Sequence, residues 1–165
     1  MFRQALFLAV SLAAARVAAA QTHHEKHHPR RAATDSAWAA MQERGRKAMG
    51  VDQYTSVHRF ETLPDGGRIE LQRPTADAAD VETIRAHLRD IETLFSAGDF
   101  SIPGFVHDGA VPGTDVMAGR KDRIQYRFLP LPKGGQLRIT TSDPDALAAI
   151  ARFLEFQRTE HRTHH

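Results

Sequence analysis

The sequence predicts an α+β fold: an N-terminal helix, then a duplicated β-β-α unit whose four antiparallel strands form one sheet with the helices packed on one face. Three observations lead there. A segment from His58 to Leu71 recurs from Tyr126 to Ile139, each copy runs into a capped amphipathic helix, and the alternating strands carry one apolar face that must be covered. The chain has 165 residues, enough for one ordinary core.

Residues 1–20 read as a secretory signal peptide. Met1-Phe2-Arg3-Gln4 is a short positive start, Ala5 to Ala15 is apolar, and Ala18-Ala19-Ala20 ends in small residues, with cleavage expected before Gln21. The apolar run is shorter than the roughly 20 residues a bilayer-spanning helix needs, so no membrane insertion is expected after cleavage. Without cysteine there is no lipid anchor, disulfide, thiolate ligand or covalent haem attachment. A periplasmic or secreted location follows. Losing Arg3 and Arg16 takes the 22 basic residues to 20, equal to the 20 acidic ones, and no basic run remains. Nucleic acid is therefore not an expected partner.

Residues 21–33, which include Gln-Thr-His-His-Glu-Lys-His-His-Pro, have almost nothing to bury and read as a disordered, histidine-rich arm. A helix over residues 34–50 follows, with Thr34 or Asp35 as cap, Trp38 and Met41 on one face and Gly50 as stop. The body, residues 51–160, reads as a single domain. Repeat one spans 56–97 and repeat two 122–158, with Arg, Phe, Leu, Pro and Gly-Gly matching at a constant offset. Gly66-Gly67 and Gly134-Gly135 are expected to supply the positive φ angles of two hairpin turns. The helices begin at Asp77 and Asp143, and Val81, Ile84 and Leu88 correspond to Leu147, Ile150 and Leu154 once two residues are deleted. Between the copies, residues 98–121 are rich in Gly and Pro without a clear period, but Phe100, Ile102, Phe105, Val106, Val111 and Val116 predict an ordered covering loop. Residues 159–165 read as a tail.

The ten histidines fall in the arm, the tail (His161, His164, His165) and the body (His58, His87, His107). His58 has the inward parity of Phe60 and corresponds to Tyr126. His87 lies on the edge of the apolar helical stripe and corresponds to Phe153. Two imidazoles are thus expected to meet where the other half has aromatics. The covering loop would bring His107 and Met117 to the same place. Three imidazoles with a thioether suit copper, and Zn(II) on three imidazoles and water is the alternative. Asp108 or Asp115 would orient a ligating imidazole, and Met41 and Met49 are either ligands or packing. The competing reading is of hydrogen-bonded core histidines, since no motif such as H-E-x-x-H is present.

The leading expectation is therefore a periplasmic metal-binding protein holding copper through His58, His87, His107 and Met117. The alternative is a non-catalytic interaction module that binds a peptide or an envelope protein through the open sheet face or the Tyr126/Phe153 half. A non-covalent haem binder and a small His-dependent enzyme are further alternatives. Ser56, His58 and Asp52 lack a nucleophile elbow, and no phosphate-binding loop is present.

The stretches Met49-Gly50-Val51-Asp52-Gln53-Tyr54-Thr55, Ile84-Arg85-Ala86-His87-Leu88, Gly98-Asp99-Phe100 and Phe105-Val106-His107 resemble a family of small exported bacterial proteins of unknown function. The resemblance covers nearly the whole mature chain. Members sometimes carry an automated aspartate carbamoyltransferase label, but this chain is far too short for that enzyme and lacks its Ser-Thr-Arg-Thr phosphate-binding sequence. The resemblance implies a compartment and no mechanism.

Overall fold

The computed structural model describes residues 29–50 and 56–163, with side chains from Asp35 onward. The expected signal peptide, most of the arm with its four histidines, Asp52, His164 and His165 lie outside the described residues. In chain order the elements are α1 (Pro29–Met49), β1 (Val57–Leu63), β2 (Gly66–Gln72), α2 (Ala78–Ala97), α3 (Ser101–His107), α4 (Thr114–Gly119), a 3-10 turn (Lys121–Arg123), β3 (Ile124–Leu131), β4 (Gly134–Thr141) and α5 (Pro144–Glu160). The α+β architecture of one four-stranded antiparallel sheet with helices on one face is the one the sequence predicts. Helix α1 starts at Pro29, inside the stretch read as the arm, because proline's fixed φ suits a first helical turn. Among the described residues no helix is long and apolar enough to cross a membrane.

The strand order β1-β2-β4-β3 places the two copies back to back, with β2 and β4 paired at the centre. Their register is that of a two-fold repeat. Gly66 faces Thr140 while Gly134 faces Gln72, Gly67 faces Ile139 while Gly135 faces Leu71, and Ile69 faces Leu137 at the pseudo-axis. A shift of 68 residues carries each of these pairs onto its mate. The closing hydrogen bonds obey it too, Arg73 N to Lys133 O at 2.9 Å and Thr141 N to Asp65 O at 3.0 Å. Each helix opens on an aspartate whose carboxylate accepts two backbone N–H groups, Asp77 for α2 and Asp143 for α5.

The glycines do a different job from the one expected. Leu63 pairs with Gly66 and Leu131 with Gly134, so Pro64-Asp65 and Pro132-Lys133 occupy the two turn positions. Only Gly66 of the four has positive φ. What the pairs provide is room. A Cβ on Gly66 would sit 2.2 Å from Ile139 O, and one on Gly134 2.1 Å from Leu71 O, so the central strands can approach only where the side chain is missing. Gly67 and Gly135 make space for Leu154 and Leu88 respectively, at 2.2 and 3.0 Å from the absent Cβ.

Those last contacts reveal how the helices are arranged. Leu154 belongs to repeat two and covers a glycine of repeat one, and Leu88 does the reverse. Helix α2 lies over β3 and β4, and α5 over β1 and β2. Symmetric anchors hold the exchange: Glu92 accepts from Phe128 N at 3.0 Å, and Arg158 donates to Phe60 O at 3.1 Å. The core lies between, where α2 buries Val81, Ile84, Leu88, Ile91 and Phe95, and α5 buries Ile150, Phe153 and Leu154. Each such side chain contributes about 1.5–3 kcal/mol by leaving water.

The segment between the repeats packs down through Phe100, Ile102, Val106, Val111 and Val116, while Phe105 stays exposed, and it does so as two short helices rather than as loop. Pro103, Gly104, Gly113 and Gly119 hide them, because six or seven residues are too few to establish a period. Helix α3 packs on α1, where Arg44 Nε donates to Val106 O at 2.8 Å, and α4 packs on α5. Tyr126 and Phe153 are both buried.

Candidate metal centre

Helices α1, α2, α3 and α5 and the inner face of β1 and β2 line a partly open, apolar cavity of about 90 Å³. His58, His87, His107 and His161 all line it. The three body histidines named from the sequence all line it, His58 from the inward face of β1 and His87 from the inner side of α2 as expected, and His107 from the end of α3, a helix where a loop was expected. Met117 is not brought to them. It is fully buried within the main core and does not line the cavity, because α4 uses it as an anchor against α5. Met49, at the end of α1, does line it.

His161 is the residue that sequence reasoning missed. The sequence reads as tail from residue 159, but α5 runs to Glu160 and His161 caps it, with Arg162 in the left-handed region turning the chain back. Its ring stacks on His58 with centroids 5.4 Å apart and meets His107 edge-on at 5.3 Å. Phe60 packs beside the pair, 5.4 Å from His161. The C-terminal turn is held to α1 by Arg162, which lies over the Trp38 ring at 4.7 Å and reaches Asp35 at 3.3 Å.

The helix exchange explains why His58 meets His161. The shift of 66 residues that carries Asp77 to Asp143 carries Phe95 to His161, and His58 corresponds to Tyr126. In the other half, Phe95 and Tyr126 make the equivalent contact, edge-to-face at 5.7 Å. The same shift takes Ile91 to Gln157, which is buried. Three apolar or aromatic positions of one half have therefore become two imidazoles and an amide in the other, on one wall of one cavity.

Gln157 accounts for its own burial by hydrogen bonding to His107, Oε1 to Nε2 at 3.1 Å. With Gln157 Oε1 as the partner, which accepts only, Nε2 carries the proton and the lone pair sits on Nδ1. That Nδ1 is buried with no hydrogen-bond partner. Gln157 thus plays the orienting role expected of Asp108 or Asp115, both of which are exposed.

Burial keeps the imidazoles neutral. Desolvation, with the nearby His87 adding to it, pulls His58 down to about 4. Desolvation again, with His58 and His107 adding to it, pulls His161 down to about 3. A cation at a helix C-terminus is ordinarily favoured, so here desolvation outweighs the α5 dipole. His87 is lowered by desolvation against an opposing pull from Asp90. His107 is lowered by desolvation against the Gln157 hydrogen bond and Glu160, with Arg44 on the lowering side. Neutral imidazoles are the form that coordinates metals.

Among the described residues, no three His, Asp or Glu side chains already stand in a metal-holding arrangement. The centroid spacings of 5.3 and 5.4 Å nonetheless suit it. Two imidazoles bound at about 2.0 Å to one ion with a tetrahedral or trigonal angle have centroids about 5–5.5 Å apart.

No family model, curated protein or solved structure matches this chain.

Proposed function

We propose that the protein is an exported copper-binding protein of the bacterial envelope, with His58, His107 and His161 as ligands and His87 on the facing wall. The observation that carries this reading is the convergence of four neutral imidazoles on one small apolar cavity, with the Nδ1 lone pair of His107 left unpartnered. Relative to the set expected from the sequence, His161 enters, Met117 leaves, and His87 lines the cavity without being counted as a ligand. The signal peptide expected over residues 1–20 is what suggests the compartment.

Two other readings fit less well. At about 90 Å³ the cavity holds an ion and a few ligand atoms, well below the roughly 300–1,000 Å³ of small-molecule and cofactor pockets, which disfavours haem. General acid–base catalysis near neutral pH wants pKa values near the working pH, and His58 at about 4 and His161 at about 3 lie far below it.

Isothermal titration with Cu(I) and Cu(II) tests the proposal. The protein should be the full chain with His23, His24, His27, His28, His164 and His165 replaced by asparagine, so that the flanking histidines contribute nothing. One equivalent of copper is expected, abolished by His58→Ala together with His161→Ala. No binding, or binding that survives the pair of substitutions, contradicts it.

A further inference from the structure

We infer that this site takes copper as Cu(I), with the Met49 thioether joining the imidazoles, and discriminates against Cu(II) and Zn(II). The inference rests on the copper reading above and adds the oxidation state and the fourth donor.

Charge favours the monovalent ion. None of the cavity-lining residues is an aspartate or glutamate, and the chain has no cysteine. Every available donor is neutral. The cost of bringing an ion into low dielectric grows as the square of its charge, and attraction to anionic ligands is what ordinarily offsets it. With only neutral donors in the lining, and carboxylates acting from outside it through Asp90 near His87 and Glu160 near His107, a divalent ion meets about four times the desolvation cost of a monovalent one with no anionic ligand to offset it. Cu(II) would further want a square-planar or tetragonal set of N and O donors, and Zn(II) on imidazoles would want a hydrated open position. Walls made by Phe60, Leu71, Ile91 and Val106 favour neither.

Softness and placement favour it too. Met49 is buried against Leu71, Ile84 and Leu88 and lines the cavity shared by the imidazoles. Thioether sulfur selects Cu(I) among the biological metals, and imidazole accepts it as well. Placement is secured by the Arg44 to Val106 hydrogen bond at 2.8 Å, which ties α1, the helix that ends in Met49, to α3, the helix that ends in His107. The two donors are therefore held by one linked pair of helices.

The test uses the full chain with the flanking histidines replaced, titrated separately with Cu(I) against a competing chromophoric chelator, with Cu(II) and with Zn(II). Cu(I) should bind at one equivalent and at least 100-fold more tightly than either divalent ion, a margin of about 2.7 kcal/mol. Copper-edge X-ray absorption should show a sulfur scatterer that disappears in Met49→Leu, a swap that keeps volume and fold. That variant should bind Cu(I) about 10-fold to 100-fold more weakly, with Zn(II) affinity unchanged. Equal or tighter binding of a divalent ion that depends on His58 and His161 overturns the Cu(I) assignment while leaving the metal site standing. A nitrogen-only copper shell, or unchanged Cu(I) affinity in Met49→Leu, overturns the role of Met49. Absence of binding by all three ions overturns this inference and the proposed function together.

Discussion

His58 stacks on His161 at the position where, on the other side of the pseudo-two-fold, Tyr126 meets Phe95. The fold therefore contains its own control. One half shows how these positions pack when packing is all they do, and the other departs from that solution at both members of the pair. Aromatic positions become imidazoles and a cavity opens beside them.

Filling the cavity should stabilise the protein and silence the site. The double substitution His58→Phe with His161→Phe rebuilds the aromatic contact without burying a hydroxyl such as that of Tyr126, which has no partner. An edge-to-face pair and the cavity space it fills are expected to raise unfolding free energy by about 1–3 kcal/mol at pH 7. Urea denaturation of metal-free protein measures it. A lower midpoint would show that the imidazoles themselves hold the fold together.

Acid should destabilise the metal-free protein through the same residues. Unfolded, a histidine takes up a proton near pH 6.5, whereas folded His58 waits until about 4 and His161 until about 3. Between those values the unfolded chain binds more protons. The stabilising contribution is therefore complete above pH about 6.5 and falls as the pH drops toward 4 and then 3, by up to about tenfold in the folding equilibrium per pH unit for each histidine. Urea midpoints between pH 7.5 and 4 should show this slope, and the double Phe variant should lack most of it. Parallel pH profiles for the two proteins would contradict the assignment.

In the proposed site Gln157 would act on the metal through its hydrogen bond to His107. Gln157→Ile installs the residue found at the equivalent position of α2, so the fold should tolerate it. Without Oε1, His107 Nε2–H loses its acceptor and the ring its orientation. Copper affinity is expected to fall about 10-fold to 100-fold with little change in thermal midpoint. An equal loss of stability and affinity would mean that Gln157 serves only packing.

The two-fold pairing should fail at its glycines. Gly66→Ala and Gly134→Ala drive a Cβ into backbone at 2.2 and 2.1 Å. Each should cost about 3 kcal/mol or more, or prevent soluble expression. Gly119→Ala, with nothing within 4 Å of its Cβ, should lie within about 0.5 kcal/mol of the starting protein. Similar behaviour of all three in thermal denaturation would refute the register.

The duplication was legible because a tight β-hairpin writes itself locally. Alternation, Pro and Gly-Gly recur within fourteen residues of chain, and Asp77 and Asp143 announce the helices. The crossing of the helices was not. Whether Leu88 covers Gly67 or Gly135 depends on how two units close over one sheet, and both choices bury the same residues. His58, His87 and His107 were legible as inward or covering residues, and the structure places them on one cavity. His161 was lost by ending the second helix at Arg158, although aligning Phe95 with it would have exposed the substitution. Met117 looked like a ligand because a methionine in a covering segment is chemically suggestive. The segment needed an apolar anchor, and Met117 is that anchor.

Copper-edge anomalous diffraction from crystals of the full chain loaded with one equivalent of Cu(I) would test the central claim most directly. One peak is expected, about 2.0 Å from nitrogens of His58, His107 and His161, with Nδ1 as the bonding atom of His107. A peak elsewhere, or a cavity without copper at full occupancy of the added metal, would contradict it.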